Sequence, residues 1–498
     1  MKYTNEDINL ENGIQKEWII TNGIGGFASS TIIGANTRKY HGLIAPLTPP
    51  ARRYLILSKV DESIEIGGKQ YNLYTNIGKN YITKGYEYQT SFEKEEIPTL
   101  KYKISDVEIT KQICMKYGEN TVGILYKIKN GKQPTKLTLA PLMNFRDFHS
   151  MSTNDEFKIR QENKGTKLKV IIDNMIQNSI YIKVSEGIYI PHNNDIFRNM
   201  FYIEEQKRGF YPEENHAVVG RYEIEIKPNE EKEISFVCSL EENIDELDVK
   251  KLIIKEKQRI SKILEKTEID FSEKQDKTED EEKRQELIKN LVISADTFIA
   301  YRPSFRLHTI IAGYPWFLDW GRDSLISFEG LLLKTKRYDI AKEVLKTMMR
   351  DIKYGLVPNG YSGFDNRPLY NSVDASLLLF EQIQKYLEYT KDQEFIKEIF
   401  EKLEIIIENY KKGIDIDNNN IYLDTDHLIV SGTENTQNTW MDAKVDGVAV
   451  TPRNGKAVEI NSMWYNSLKI MENICKELRR KQKSKKICRT SKTNKKFF

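Results

Sequence analysis

Two tryptophans, two aspartates and an arginine fall within twelve residues of this chain: Gly313-Tyr314-Pro315-Trp316-Phe317-Leu318-Asp319-Trp320-Gly321-Arg322-Asp323-Ser324. Tryptophan faces stack on the C–H surfaces of sugar rings, and Asp/Arg pairs hydrogen-bond hydroxyls, so this is the chemistry of a carbohydrate site. Capping of a following helix accounts for Asp323. It leaves the two neighbouring tryptophans unexplained. A second segment, Leu356-Val357-Pro358-Asn359-Gly360 followed by Tyr370-Asn371-Ser372-Val373-Asp374-Ala375-Ser376, contributes Asp374 and reads equally well as a loop with a capped helix. A third, Asn438-Thr439-Trp440-Met441-Asp442-Ala443-Lys444 with Thr451-Pro452-Arg453-Asn454-Gly455-Lys456-Ala457-Val458-Glu459-Ile460-Asn461, sets Asp442 beside Trp440 and Met441. Apolar neighbours desolvate a carboxyl and keep it protonated nearer neutrality, which suits Asp442 to give a proton away. A turn residue is the plainer alternative.

Helices must hold these loops. From about residue 284 the apolar spacing is helical: Ile288, Leu291, Val292, Ala295 and Ile299 make one stripe, and Ile340, Val344, Met348 and Ile352 another. Six helices are expected, near 284–300, 323–335, 338–353, 372–390, 393–412 and 456–480. No fixed-period repeat supports a solenoid. Residues 1–240 alternate instead: Tyr222, Ile224 and Ile226, then Lys227-Pro228-Asn229-Glu230, then Ile234, Phe236 and Cys238 read as a hairpin with one buried face. Many short strands of this kind predict a sandwich. Residues 241–283 are highly charged without Gly or Pro and read as a solvated helical linker. The expected domains are therefore 1–240, a linker at 241–283, 284–480, and a basic tail at 481–498.

Composition narrows the function classes. The 498 residues are 39% hydrophobic and 30% charged, a globular balance. No run of about 18 apolar residues spans a membrane, and the N-terminus lacks the apolar core of a secretory signal. Cys114, Cys238, Cys475 and Cys488 form no C-x-x-C pair, so neither structural zinc nor any cofactor is expected, and the compartment reads as cytoplasmic. The net charge of +3 hides an asymmetry: residues 476–498 hold 11 Lys/Arg and one Glu. That tail lacks the aromatic interleaving of a nucleic-acid surface, so nucleic acid is not an expected partner.

Together the segments YPWFLDWGRDS, LVPNGY with YNSVDAS, and TWMDAK with TPRNGKAVEINSMWYN resemble the amylo-α-1,6-glucosidase family of glycogen-debranching enzymes, in its prokaryotic form. The N-terminal half is similar to that family's β domain through Glu17-Trp18-Ile19-Ile20-Thr21-Asn22-Gly23-Ile24-Gly25-Gly26-Phe27 and Thr37-Arg38-Lys39-Tyr40-His41-Gly42-Leu43. The resemblance spans about residues 15–475. It explains the glycines at 23–26 better than a nucleotide loop, which needs a strand and helix around it. It implies a β supersandwich followed by an (α/α)6 barrel, and an inverting hydrolysis that frees α-1,6-linked glucose at branch points of glycogen or a related α-glucan. Carried over by motif, Asp442 is the general acid, and Arg322 and Asp323 grip the terminal glucose. Trp316, Asp319, Trp320, Asp374, Trp440, Lys444 and Glu459 line the subsite.

The pattern also departs from the family. Six expected helices make an incomplete barrel, and the family's general-base Glu belongs to a segment beyond Phe498. Glu434 and Glu459 do not match it. The expectation is a C-terminally truncated copy, a frameshifted tail, or one half of a split enzyme, poorly active alone. The competing functions are a glucoamylase-like exo-α-glucosidase and a non-catalytic glucan-binding remnant.

Overall fold

The computed structural model describes residues 1–48, 52–153, 155–172, 179–267, 278–363, 365–416, 418–480 and four positions beyond, 482, 483, 487 and 490. Two compact units divide the chain, Met1–Lys262 and Ile263–Phe498.

The first unit contains two antiparallel nine-stranded sheets. Alternation along the strands sends one face of each into a common apolar core that includes Val122, Ile124, Leu137, Tyr222, Ile224, Ile234 and Phe236. The expected pairing of residues 222–238 as a hairpin is corrected. Strands Glu213–Ile226 and Glu231–Ser239 lie in different sheets: the first pairs with Thr135–Asp147 and Ile188–Phe201, the second with Thr121–Lys129 and Ser179–Val184. The four residues between them carry the chain across the core. Asn130 fastens that crossing, donating from its amide to the carbonyls of Ile226 and Lys227. Alternation reports a buried face and is silent about the strand beside it.

Helix Val249–Lys266 is less solvated than its charge suggests. Val249, Leu252, Ile253 and Ile260 are buried, the first three against Cys114, Leu125 and Val237. Linker residues 268–277 lie outside the described residues.

The second unit is helical. Its helices Glu279–Thr297, Gly321–Phe328 (prolonged by a π turn at Glu329–Leu333), Tyr338–Arg350, Ala375–Thr390, Gln393–Lys412 and Val458–Glu477 fall where six were expected. Glu279–Thr297 starts with a reciprocal cap between Thr278 and Glu281. Its stripe is rotated from the expected one: Leu291 is exposed, and Val292, Ile293, Ala295 and Asp296 are buried. Leu325, Phe328, Val344, Leu345, Phe380, Ile383, Phe395, Leu403, Trp464 and Leu468 join in one core. Burial of side chains of this size stabilises by roughly 1.5–3 kcal/mol each, which fixes the helices and hence the loops at their ends. Cys114, Cys238 and Cys475 are buried free thiols, and burial pushes that of Cys238 up to about 12. Cys488 and most of the basic tail lie outside the described residues, among which no helix is long and apolar enough to cross a membrane.

Candidate active site

Arg322, the second residue of helix Gly321–Phe328, gathers the three motif segments. Its Nε donates to Asp374 Oδ2 at 2.6 Å and its Nη2 to Asp374 Oδ1 at 3.1 Å, a two-pronged pair. Nη1 donates to Asp442 Oδ2 at 2.7 Å, and Nη2 also reaches the Thr439 carbonyl at 3.0 Å. One guanidinium thus touches a carboxylate from the second segment and a carboxylate and a carbonyl from the third. Only the rigid fork of arginine serves so many acceptors at once.

Backbone contacts hold the segments in register. Gly321 N–H donates to the Asn359 carbonyl at 2.7 Å, and Trp320 bridges to Gly360. A Cβ at position 321 would lie 2.5 Å from the Pro358 carbonyl oxygen, so only glycine allows this approach. Val357 N–H donates to Ser376 Oγ at 2.8 Å, and Val373 N–H to the Asn438 carbonyl at 2.9 Å.

Capping does not account for Asp374. It precedes helix Ala375–Thr390 without a side-chain cap bond, and Ser372 Oγ takes the Ala375 N–H instead. The Asp374 carboxylate is buried and turned to Arg322, with the Ser372 hydroxyl as its further donor. Burial opposes the charge on Arg322, but Asp374 and Asp442 more than offset it and hold the guanidinium above its ordinary value.

Asp442 stands differently from the expectation of an apolar enclosure. Its side chain is 33% exposed and faces the Arg322 cation. Trp440 turns outward at 56% exposure. Asp323 keeps contact with solvent, yet the protein atoms crowding it raise its carboxyl above the usual value, and the charges of Asp442 and Asp374 add to this. Its own N–H and Arg322 act in the opposite sense. A carboxyl whose folded value lies above its unfolded value is penalised where it is ionised. Asp323→Asn is therefore expected to raise Tm by about 2 °C at pH 7. The gain should disappear as the pH falls below about 4, where the unfolded carboxyl is protonated too. Thermal melts at pH 7 and pH 3.5 measure this, and an equal gain at both would refute it.

The other expected residues divide. Trp316 and the neighbouring Phe317 are 37% and 52% exposed, and Trp320 is half-buried with its ring near Gly360. Asp319 does not join the cluster. It is buried, and Arg302 Nη1 holds its two oxygens at 2.9 and 2.7 Å while Thr309 adds a hydroxyl. Glu459 pairs with Arg453, with Nη2 to Oε2 at 2.7 Å. Lys444 is exposed on a small hairpin, Lys444–Val445 with Val448–Ala449. Sequence reasoning passed over the Thr439 carbonyl and Ser372, both inside quoted motifs, and Arg302, which no motif marks. It also passed over Asn359, fully buried, whose side-chain amide has no hydrogen-bond partner among the described residues.

Two family matches fall one in each compact unit. Residues 16–233 match the family described as glycogen debranching enzyme N terminal, and residues 293–497 the amylo-alpha-1,6-glucosidase family. The glycogen debranching enzyme of Saccharomyces cerevisiae is 26% identical over 226 residues, covering 34% of this chain and 15% of that one. A bacterial glucoamylase complexed with acarbose superposes with a TM-score of 0.52 at 12% identity, over 99% of this chain and 65% of that one. The chain thus spans less than two thirds of either relative, and the second likeness is one of fold.

Proposed function

Because this chain belongs to the glycogen-debranching-enzyme family, we propose that it is a glycoside hydrolase that removes α-1,6-linked glucose at branch points of glycogen or a related α-glucan, with inversion. The reading rests above all on the Arg322 guanidinium, which draws Asp374 and Asp442 together from separate loops. The architecture it calls for is a β supersandwich with an (α/α)6 toroid of helices, and its setting is the cytoplasm.

In this reading Asp442 is the proton donor to the departing glycosidic oxygen. Arg322 and Asp323 take the hydroxyls of the terminal glucose, and Trp316, Trp320 and Trp440 offer ring faces to the pyranose. The Arg322–Asp442 contact has a mechanistic consequence. A glucose hydroxyl that takes over the N–H of Arg322 frees the Asp442 carboxyl, which draws from water the proton that it passes to the glycosidic oxygen. Inversion requires a second carboxylate about 6.5–9.5 Å from the acid, with a water between. Glu459 is committed to Arg453 and is a poor choice for that base. Asp319 and Asp374, each held by an arginine, serve as supports that fix the loops.

Glucose release from branched limit dextrin, compared with release from linear maltooligosaccharide, tests the assignment. Faster release from the branched polymer is expected, with β-glucose as the first product by NMR. Faster release from the linear chain would favour a glucoamylase-like exo-enzyme and defeat the α-1,6 reading.

A further inference from the structure

The turn at residues 37–41 of the β unit, singled out by its sequence, is braced by buried charge. Arg146 is buried and donates from Nη2 to the Lys39 carbonyl at 2.6 Å and from Nη1 to the Phe148 carbonyl at 3.2 Å. It forms a two-pronged pair with buried Glu214, with Nη2 to Oε2 at 2.9 Å. Glu214 also accepts from the Tyr202 hydroxyl at 2.6 Å and the Ser152 N–H at 2.8 Å. Glu205, fully buried, accepts from Lys39 N–H at 3.3 Å and from Arg208 at 3.2 Å. Taking these ions out of water is costly. The return is a turn fixed in one geometry, with Thr37, Tyr40 and His41 buried and Arg38 and Lys39 part-exposed at its outer edge, the kind of fixed support that recognition needs.

The outer side of this frame is aromatic and rich in donors. Phe210 and Tyr211 are 54% and 59% exposed. The Lys39 ammonium donates to the His149 carbonyl at 2.6 Å and lies 5.7 Å from the centre of the Phe210 ring. The Arg208 guanidinium lies 5.0 Å from that ring, and His149 is exposed.

We propose that Phe210, Tyr211, Lys39, Arg208 and His149 form a second carbohydrate-binding surface, which holds a stretch of α-glucan chain. Ring faces take the C–H faces of successive glucose units, and the N–H groups at the rim meet their hydroxyls. The buried carboxylates of Glu205 and Glu214 already answer the local cations, so a phosphate backbone finds little uncompensated charge and a neutral polymer fits better. The proposal rests on α-glucan being the substrate. A branched polymer presents many chains at once, and a second point of hold raises its effective affinity.

Electrophoresis of the protein through native gels cast with glycogen tests the proposal. The Phe210→Ala/Tyr211→Ala variant should lose about fivefold or more of its apparent affinity for glycogen. Because both rings are exposed, Tm should move by less than about 2 °C. Lys39→Met should weaken retardation in the same direction. Equal retardation of parent and double variant, with the parent still releasing glucose, would overturn the proposal and leave the hydrolase reading standing. A parent that is neither retarded nor active would sink both. Stronger retardation by single-stranded DNA than by glycogen would overturn the carbohydrate assignment.

Discussion

Asp442→Asn is expected to cut glucose release from branched limit dextrin by about 10²–10⁴-fold, the usual loss when a positioned acid is removed. The amide has nearly the same shape and can still accept the Arg322 N–H, so glucose binding should persist while the proton is missing. The signature is a fall in kcat with KM held within a few-fold. Stability should change little, because the side chain is a third exposed and its ion pair with Arg322 is partly screened by water. Parallel melts and initial rates separate the outcomes. Parent-like rates in the variant would take Asp442 out of the donor's role. A large fall in Tm would make it a structural support instead.

Arg322→Met should produce the largest loss of stability among the substitutions considered. It leaves Asp374 buried at 2% exposure without its cation, and breaking one side of a buried pair costs about 3–5 kcal/mol. For a unit of this size that corresponds to a fall in Tm of roughly 10 °C. Activity should be lost as well, since the same guanidinium fixes Asp442. The paired variant Arg322→Met/Asp374→Asn distinguishes the two effects. Removing the stranded charge should recover much of the lost Tm, and it should recover none of the glucose release. Arg322→Lys should fare little better than Met, because one ammonium cannot make the paired contacts to Asp374 and also reach Asp442. An unchanged Tm in Arg322→Met would refute the clamp.

The legible parts of the molecule share a feature: their signal is local. Alternation along Tyr222, Ile224 and Ile226 correctly marks a buried strand face, because the period of a strand is set by its own backbone. Helical spacing located six helices for the same reason, although the expected stripe of Glu279–Thr297 is rotated. Which strand lies beside Glu231–Ser239 is a long-range matter, and there the hairpin expectation failed. The two aspartates of DWGRD make the same point within five residues. Asp319 and Asp323 look alike in sequence, yet one is buried against Arg302 of strand Ile299–Arg302 and the other, part-crowded by protein atoms, feels the charges of Arg322 and Asp442.

Residue types alone pointed to carbohydrate chemistry in the helical half, because tryptophan, aspartate and arginine concentrated in loops suit sugar rings and hydroxyls. They also determined which segments matter, and the family those segments resemble. Only the tertiary structure decided which carboxylate meets which guanidinium: Asp374 and Asp442 meet Arg322, Asp319 meets Arg302 and Glu459 meets Arg453. The reason is that charge and hydrogen bonding act over a few ångströms of space, and positions 322, 374 and 442 become neighbours only when the packed helices set their loops side by side.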